Sequence, residues 1–182
     1  LSYIEIYNGT GTTINLDNYK LDFYSNGSAT QNGGSLALNN VNLISGGIYT
    51  VAVGVDSSAP YNTCSAANDQ FNGTLANQTS GLGGVNFNGS GSNDHVKLMN
   101  GATAIDSWGV YLDGNWANTT LSLGTQGVDF RRKPTATVPS TTYSNADWDV
   151  IDWASCVDNE YSTIGLYDFS TSIPPSITTQ PT

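Results

Sequence analysis

The chain has a single histidine, His95, so any hydrolytic site built on a Ser-His-Asp or Cys-His relay would have to run through it. Asp94 precedes it and would supply a carboxylate. The run His95 to Met99 alternates in the manner of a strand, however, and a partly exposed strand residue is the favoured reading of His95. Carboxylates are more plentiful: Asp147, Asp149, Asp152, Asp158 and Glu160 fall within fourteen positions. Oxygen ligands of this kind suit calcium, and a carboxylate pair suits glycoside hydrolysis. The spacing matches no calcium loop, glycine is absent from the cluster, and Trp148 and Trp153 interrupt it, so a solvated acidic face is expected.

Transition-metal chemistry is excluded by ligand count, because there is no second histidine and Cys64 and Cys156 lack zinc-like spacing. No cofactor is implied. The two cysteines read instead as a disulfide, which by closing a loop across 92 positions would contribute roughly 4–5 kcal/mol in the chain-entropy model. Two free buried thiols are the alternative. Trp108, Trp116, Trp148 and Trp153, with ten tyrosines, could form a flat platform for a sugar, although core and sheet-capping positions are the default for these side chains. Three of the five bases stand together as Arg131, Arg132 and Lys133. On a strand they alternate faces, with Arg132 turned away from its neighbours, so a structural or solvated role is expected rather than an anion site.

Six N-x-S/T sequons begin at Asn8, Asn26, Asn72, Asn77, Asn88 and Asn118. Composition alone predicts roughly four or five, so they gain meaning as covalent glycan sites only in an exported protein.

These groups sit in a chain of 182 residues, one domain by length, in which Asn, Gly, Ser and Thr account for 81 positions and only 11% are charged. That profile excludes helical bundles and coiled coils, while 38% hydrophobic and 10% aromatic content argues against disorder. A formal charge of -10 and a pI near 4.1 repel phosphate backbones and anionic headgroups, so neither nucleic acid nor membrane insertion is expected. No apolar run approaches the ~18 residues of a membrane helix. The low-lysine, Thr/Asn/Gly-rich composition suits an extracellular or cell-surface protein. The chain opens at Leu1 with neither an initiator Met nor a signal-peptide pattern, as a mature or excised piece would.

Strand patterns run from Ser2 to Tyr7 and from Tyr19 to Tyr24, where Leu21 and Phe23 alternate with Lys20 and Asp22 as in a half-buried strand. Further strands are expected at Ser35 to Leu38, Gly47 to Val55, Val85 to Phe87, His95 to Met99, Ala104 to Val110, Val128 to Arg132, Asp149 to Ala154 and Ile164 to Phe169. Each is bounded by Gly, Asn or Ser clusters. Pro60 to Gln78 is the least strand-like stretch and is read as a short helix or a long loop. Many short strands without an amphipathic helix predict a two-sheet antiparallel sandwich over residues 1–170. Residues 171–182, TSIPPSITTQPT, favour an extended conformation. They read as a linker, or as a tail carrying Ile173 and Ile177 that docks on a neighbouring copy by adding a strand to an open sheet edge.

Three strings carry a family resemblance: IEIYNGTGTTINLDNYKLDFYSNGS from Ile4 to Ser28, QTSGLGGVNFNGSGSNDHVKLMNGATAIDSWG from Gln78 to Gly109, and DFRRKPT from Asp129 to Thr135 followed by ADWDV from Ala146 to Val150. Taken in that order they cover most of residues 3–155, and they resemble the lamin-tail domain, above all the versions attached to secreted bacterial nucleases and surface proteins. The resemblance implies an immunoglobulin-like antiparallel β-sandwich. It makes the Asn8-Gly9 turn a hairpin element, the step Leu16-Asp17-Asn18-Tyr19 a strand opening, and Arg131 and Arg132 part of a motif that closes the sandwich. It transfers no catalytic residue. Two departures stand out: relatives carry another strand ahead of the IEIYN segment, and they place a small or apolar residue where this chain has His95.

Taken together, these features predict a non-enzymatic extracellular structural module that associates with itself or with neighbouring domains of the same protein. As a fibre subunit it would assemble head-to-tail through strand exchange. The alternatives are an accessory domain that tethers or positions a secreted nuclease, and a carbohydrate-binding module.

Overall fold

The computed structural model describes residues 2–25, 28–53, 76–82, 94–109, 128–152 and 164–166. The protein is all-β. Among the described residues the one helical feature is a 3-10 turn at Asn145–Asp147. The strands are β1 (Ser2–Tyr7), β2 (Ile14–Asn15), β3 (Tyr19–Tyr24), β4 (Ser35–Ala37), β5 (Asn42–Leu43) and β6 (Ile48–Val53) in the first third. They are followed by β7 (Gln78–Ser80), β8 (His95–Asn100), β9 (Thr103–Trp108), β10 (Val128–Arg132) and β11 (Trp148–Asp152).

The strands form a four-stranded sheet in the order β4-β3-β8-β9, a three-stranded sheet in the order β1-β6-β7, and two ribbons, β2-β5 and β10-β11. Among the described residues every pairing is antiparallel except β6 with β7, which run parallel. The two larger sheets share one apolar core. Ile6, Tyr49, Val51 and Val53 enter it from the three-stranded sheet, Leu21, Phe23 and Val96 from the four-stranded sheet, Leu43 from the β2-β5 ribbon, and Leu16 and Leu38 from the connections. Period-two alternation selects these residues: along β1, Ile4 and Ile6 face the core while Tyr3, Glu5 and Tyr7 take the other side.

The turns follow from the glycines that flank the strands. Asn100 and Gly101 open the β8–β9 turn, where Gly101 adopts φ 58 and its amide donates to the Asn18 carbonyl at 2.8 Å. Beyond β9, Gly109 at φ 92 lies so close to the start of β8 that a Cβ there would come within 2.6 Å of the Asp94 carbonyl and 2.9 Å of His95 Cβ.

Several expectations change. Asp22 and Tyr24 face away from the core yet are buried, so β3 is covered on both faces rather than half-buried. His95 is buried, with 1% of its surface exposed, and is not a partly exposed strand residue. Ile164 and Gly165 form a turn, not the start of a strand. β7 is a short strand that the sequence pattern does not announce. Val85 to Phe87, Cys64, Cys156, Asn26, Asn72, Asn88, Asn118, Trp116, Trp153, Asp158, Glu160, Ile173 and Ile177 lie outside the described residues.

Candidate functional site

Among the described residues the chemistry-bearing side chains gather in three places, and the first is the outer face of the four-stranded sheet. Strand register lines up Ser35, Asp22, Lys97 and Ser107 in one row across β4, β3, β8 and β9. The Ser35 hydroxyl donates to Asp22 Oδ1, and Lys20 Nζ lies 3.0 Å from Asp22 Oδ2. A carboxylate with only 5% of its surface exposed needs such partners, because burial without them would be costly. The neighbouring row pairs Tyr24 with His95, whose rings stack at 4.1 Å and 17°. Lys97 Nζ sits 4.8 Å from the centroid of the Tyr24 ring. Burial, assisted by the Lys97 charge, lowers the His95 pKa from 6.5 to about 4, so the imidazole is neutral at physiological pH. Burial and the Asp22 charge push the Tyr24 phenol up.

A serine relay is not what this row assembles. The Ser35 proton points at a carboxylate held by lysine, and His95 presents its ring face to Tyr24 from the adjacent row, a diagonal step of ~7–8 Å in an antiparallel sheet. The pattern stabilises a covered sheet face.

The second place is where the β10–β11 ribbon meets β9. Arg132 Nη2 lies 2.7 Å from Asp106 Oδ1, and the same oxygen accepts the backbone N–H groups of Ser107 at 2.9 Å and Ser140 at 3.1 Å. The guanidinium carbon sits 4.7 Å over Trp148, and Nη1 donates to the Val138 carbonyl at 3.3 Å. Trp108 packs edge-on to Phe130 at 4.9 Å and to Tyr143 at 6.2 Å, and burial pushes the Tyr143 phenol up to about 12. Arg131 turns instead to Asp129 at 2.6 Å, while Lys133 donates to the Ala146 carbonyl at 2.9 Å. Each of the three adjacent bases thus reaches an oxygen of the chain itself.

The third place lies on the far side of the core and centres on Gln78 of β7. Its Oε1 accepts from the Tyr49 hydroxyl at 2.9 Å and the Asn39 amide at 3.1 Å, and its Nε2 donates to the Ala37 carbonyl at 2.8 Å. One side chain thus ties β7 and β6 to the end of β4, which belongs to the other sheet. Sequence reasoning missed Gln78 because its three partners lie 29 to 41 residues away and leave no local signature. Asn8 acts in the same way at the end of β1. Its Nδ2 donates to the Thr12 and Leu43 carbonyls, both at 2.8 Å, and its Oδ1 accepts from the Thr10 amide and hydroxyl.

Of the remaining candidates, Asp149 is exposed, with Lys133 Nζ 3.9 Å away. Among the described residues no three His, Cys, Asp or Glu side chains are grouped to hold a metal ion. Of the four tryptophans weighed as a platform, Trp148 lies under Arg132 and Trp108 packs on Phe130 and Tyr143. Among the described residues no helix is long and apolar enough to cross a membrane. Comparison of the chain with protein-family models, characterised proteins and solved structures gives no match.

Proposed function

We propose that the chain is a non-enzymatic extracellular structural module, an immunoglobulin-like β-sandwich of the lamin-tail kind. The observation that carries this reading is how the polar side chains are used. Gln78 on one side of the shared core and the Arg132–Asp106 pair on the other are committed to joining separate elements, as is Asn8 at the end of β1. Side chains engaged in this way join layers of the fold; a catalytic site would keep some of that capacity directed at a substrate.

Self-association through strand addition is the form of assembly that suits the fold. Strand addition uses a sheet edge, and among the described residues the outer strands of the three-stranded sheet are β1 and β7. β7 has three residues, one of them Gln78, whereas β1 has six. β1 is therefore the proposed acceptor, and the extended-favouring segment 171–182, with Ile173 and Ile177, is the proposed donor from a second copy. Light scattering with electron microscopy tests this. Head-to-tail oligomers or filaments that vanish when residues 171–182 are deleted support it, and a monodisperse monomer at every concentration rejects the assembly.

A further inference from the structure

Two of the six sequons lie among the described residues, and they use the asparagine amide in opposite ways. Asn8 is 1% exposed, and both hydrogens of its Nδ2 are donated to backbone carbonyls. N-glycosylation replaces one of those hydrogens with a sugar, so a glycan on Asn8 would break at least one of the two bonds and would have to occupy a buried position. Asn77 is exposed and stands at the head of β7. There the carbonyl end of the amide does the structural work: Oδ1 accepts the Thr50 backbone N–H at 2.8 Å, while the Asn77 backbone N–H donates to the Thr50 carbonyl at 2.8 Å. Nδ2, the atom to which a sugar attaches, takes no part in either bond. Thr79, which completes the sequon, is exposed as well.

We propose that Asn77 is an attachment site for an N-linked oligosaccharide and that Asn8, despite its sequon, is not. The reaction forms a bond from Asn77 Nδ2 to the anomeric carbon of a diphosphate-activated oligosaccharide. The anomeric C–O bond breaks, the diphosphate leaves with the bonding pair, and Nδ2 gives up one proton. Oδ1 remains an acceptor in the product, so the link to Thr50 survives modification. The sugar then stands at the start of β7, an outer strand among the described residues, and shields that edge from strand addition. The inference rests on the proposed extracellular location.

The test is to secrete the full chain from a eukaryotic host behind a host leader and to map glycopeptides of the folded product. Asn77 is expected to carry glycan, Asn8 to be unmodified, and Thr79→Ala to remove the glycan from Asn77 while leaving secretion intact. A glycan on Asn8 in folded protein, or an unmodified Asn77, overturns the proposal. Because the leader imposes export, this outcome does not depend on where the native chain resides. The proposed location is tested separately, by fractionating the source cells.

Discussion

The single histidine makes one prediction sharp. His95 is buried against Tyr24, and its pKa falls from 6.5 to about 4 in the folded chain. For a base whose folded pKa is depressed, the unfolded state binds the proton first. The stabilisation is therefore whole above pH 6.5 and is lost as pH falls toward 4. A depression of that size corresponds to about 3 kcal/mol, at 1.36 kcal/mol per pKa unit. Other groups titrate in the same range. Glu5 has its pKa raised, chiefly by desolvation, and acts in the opposite sense, since its contribution is lost as pH rises through its folded pKa. The comparison that isolates His95 is therefore wild type against His95→Phe, which preserves a ring for the Tyr24 stack and removes the titration. Urea unfolding at pH 7.5, 6, 5 and 4 should show the wild type losing about 3 kcal/mol more than the variant across the series, a midpoint difference of roughly 1–2 M at typical slopes. Because only one imidazole is present, its NMR signals can be followed directly and should hold their neutral shifts down to about pH 4. Equal pH dependence in the two proteins, or an imidazole that titrates near 6.5, would refute the burial and stacking described for His95.

Other substitutions probe the joints and the close approach at Gly109. Arg132→Lys keeps the charge but loses the planar fork and the stack on Trp148, and should cost about 1–2 kcal/mol by chemical denaturation; an unchanged midpoint would mean that the pair with Asp106 contributes little. Gly109→Ala places a methyl 2.6 Å from the Asp94 carbonyl and should destabilise by more than about 2 kcal/mol. Gly101→Ala, with nothing within 4 Å, should cost only the ~1 kcal/mol of a left-handed backbone, so thermal melts of the two should separate clearly. Asn8→Ala leaves the buried Leu43 carbonyl without its side-chain donor and should lower stability by about 2–4 kcal/mol, whereas a neutral result would contradict the bonds drawn to Asn8.

Much of the fold was legible because alternation is a strong signal. The pattern of Ile, Leu and Phe against polar residues bounds β1, β3 and β10 as the structure does, and glycines mark the start of β4 and β6 and the β8–β9 turn. Less legible was what covers a strand. Lys20 and Asp22 look like solvent-facing charges, but Asp22 is buried because Lys20 and Ser35 neutralise and bond its carboxylate. His95 looked half-exposed for the same reason: the residues that bury it, Tyr24 and the close approach of Gly109, belong to other strands or turns. Alternation places Arg131 and Arg132 on opposite faces of a strand, but only the folded chain reveals Asp106 and Trp148 beside Arg132. Gln78 carried no signal, since a lone glutamine before Thr and Ser is indistinguishable from loop sequence until Ala37, Asn39 and Tyr49 converge on it.

Hydrogen exchange on wild type and Gln78→Ala tests most directly the claim that polar side chains act as joints between layers. If Gln78 ties the two sheets, its loss should speed exchange together at β7 and at the β4 end around Ala37 to Asn39, with the centre of β3 unchanged. Faster exchange confined to β7, with the β4 end protected as in the wild type, would contradict the account.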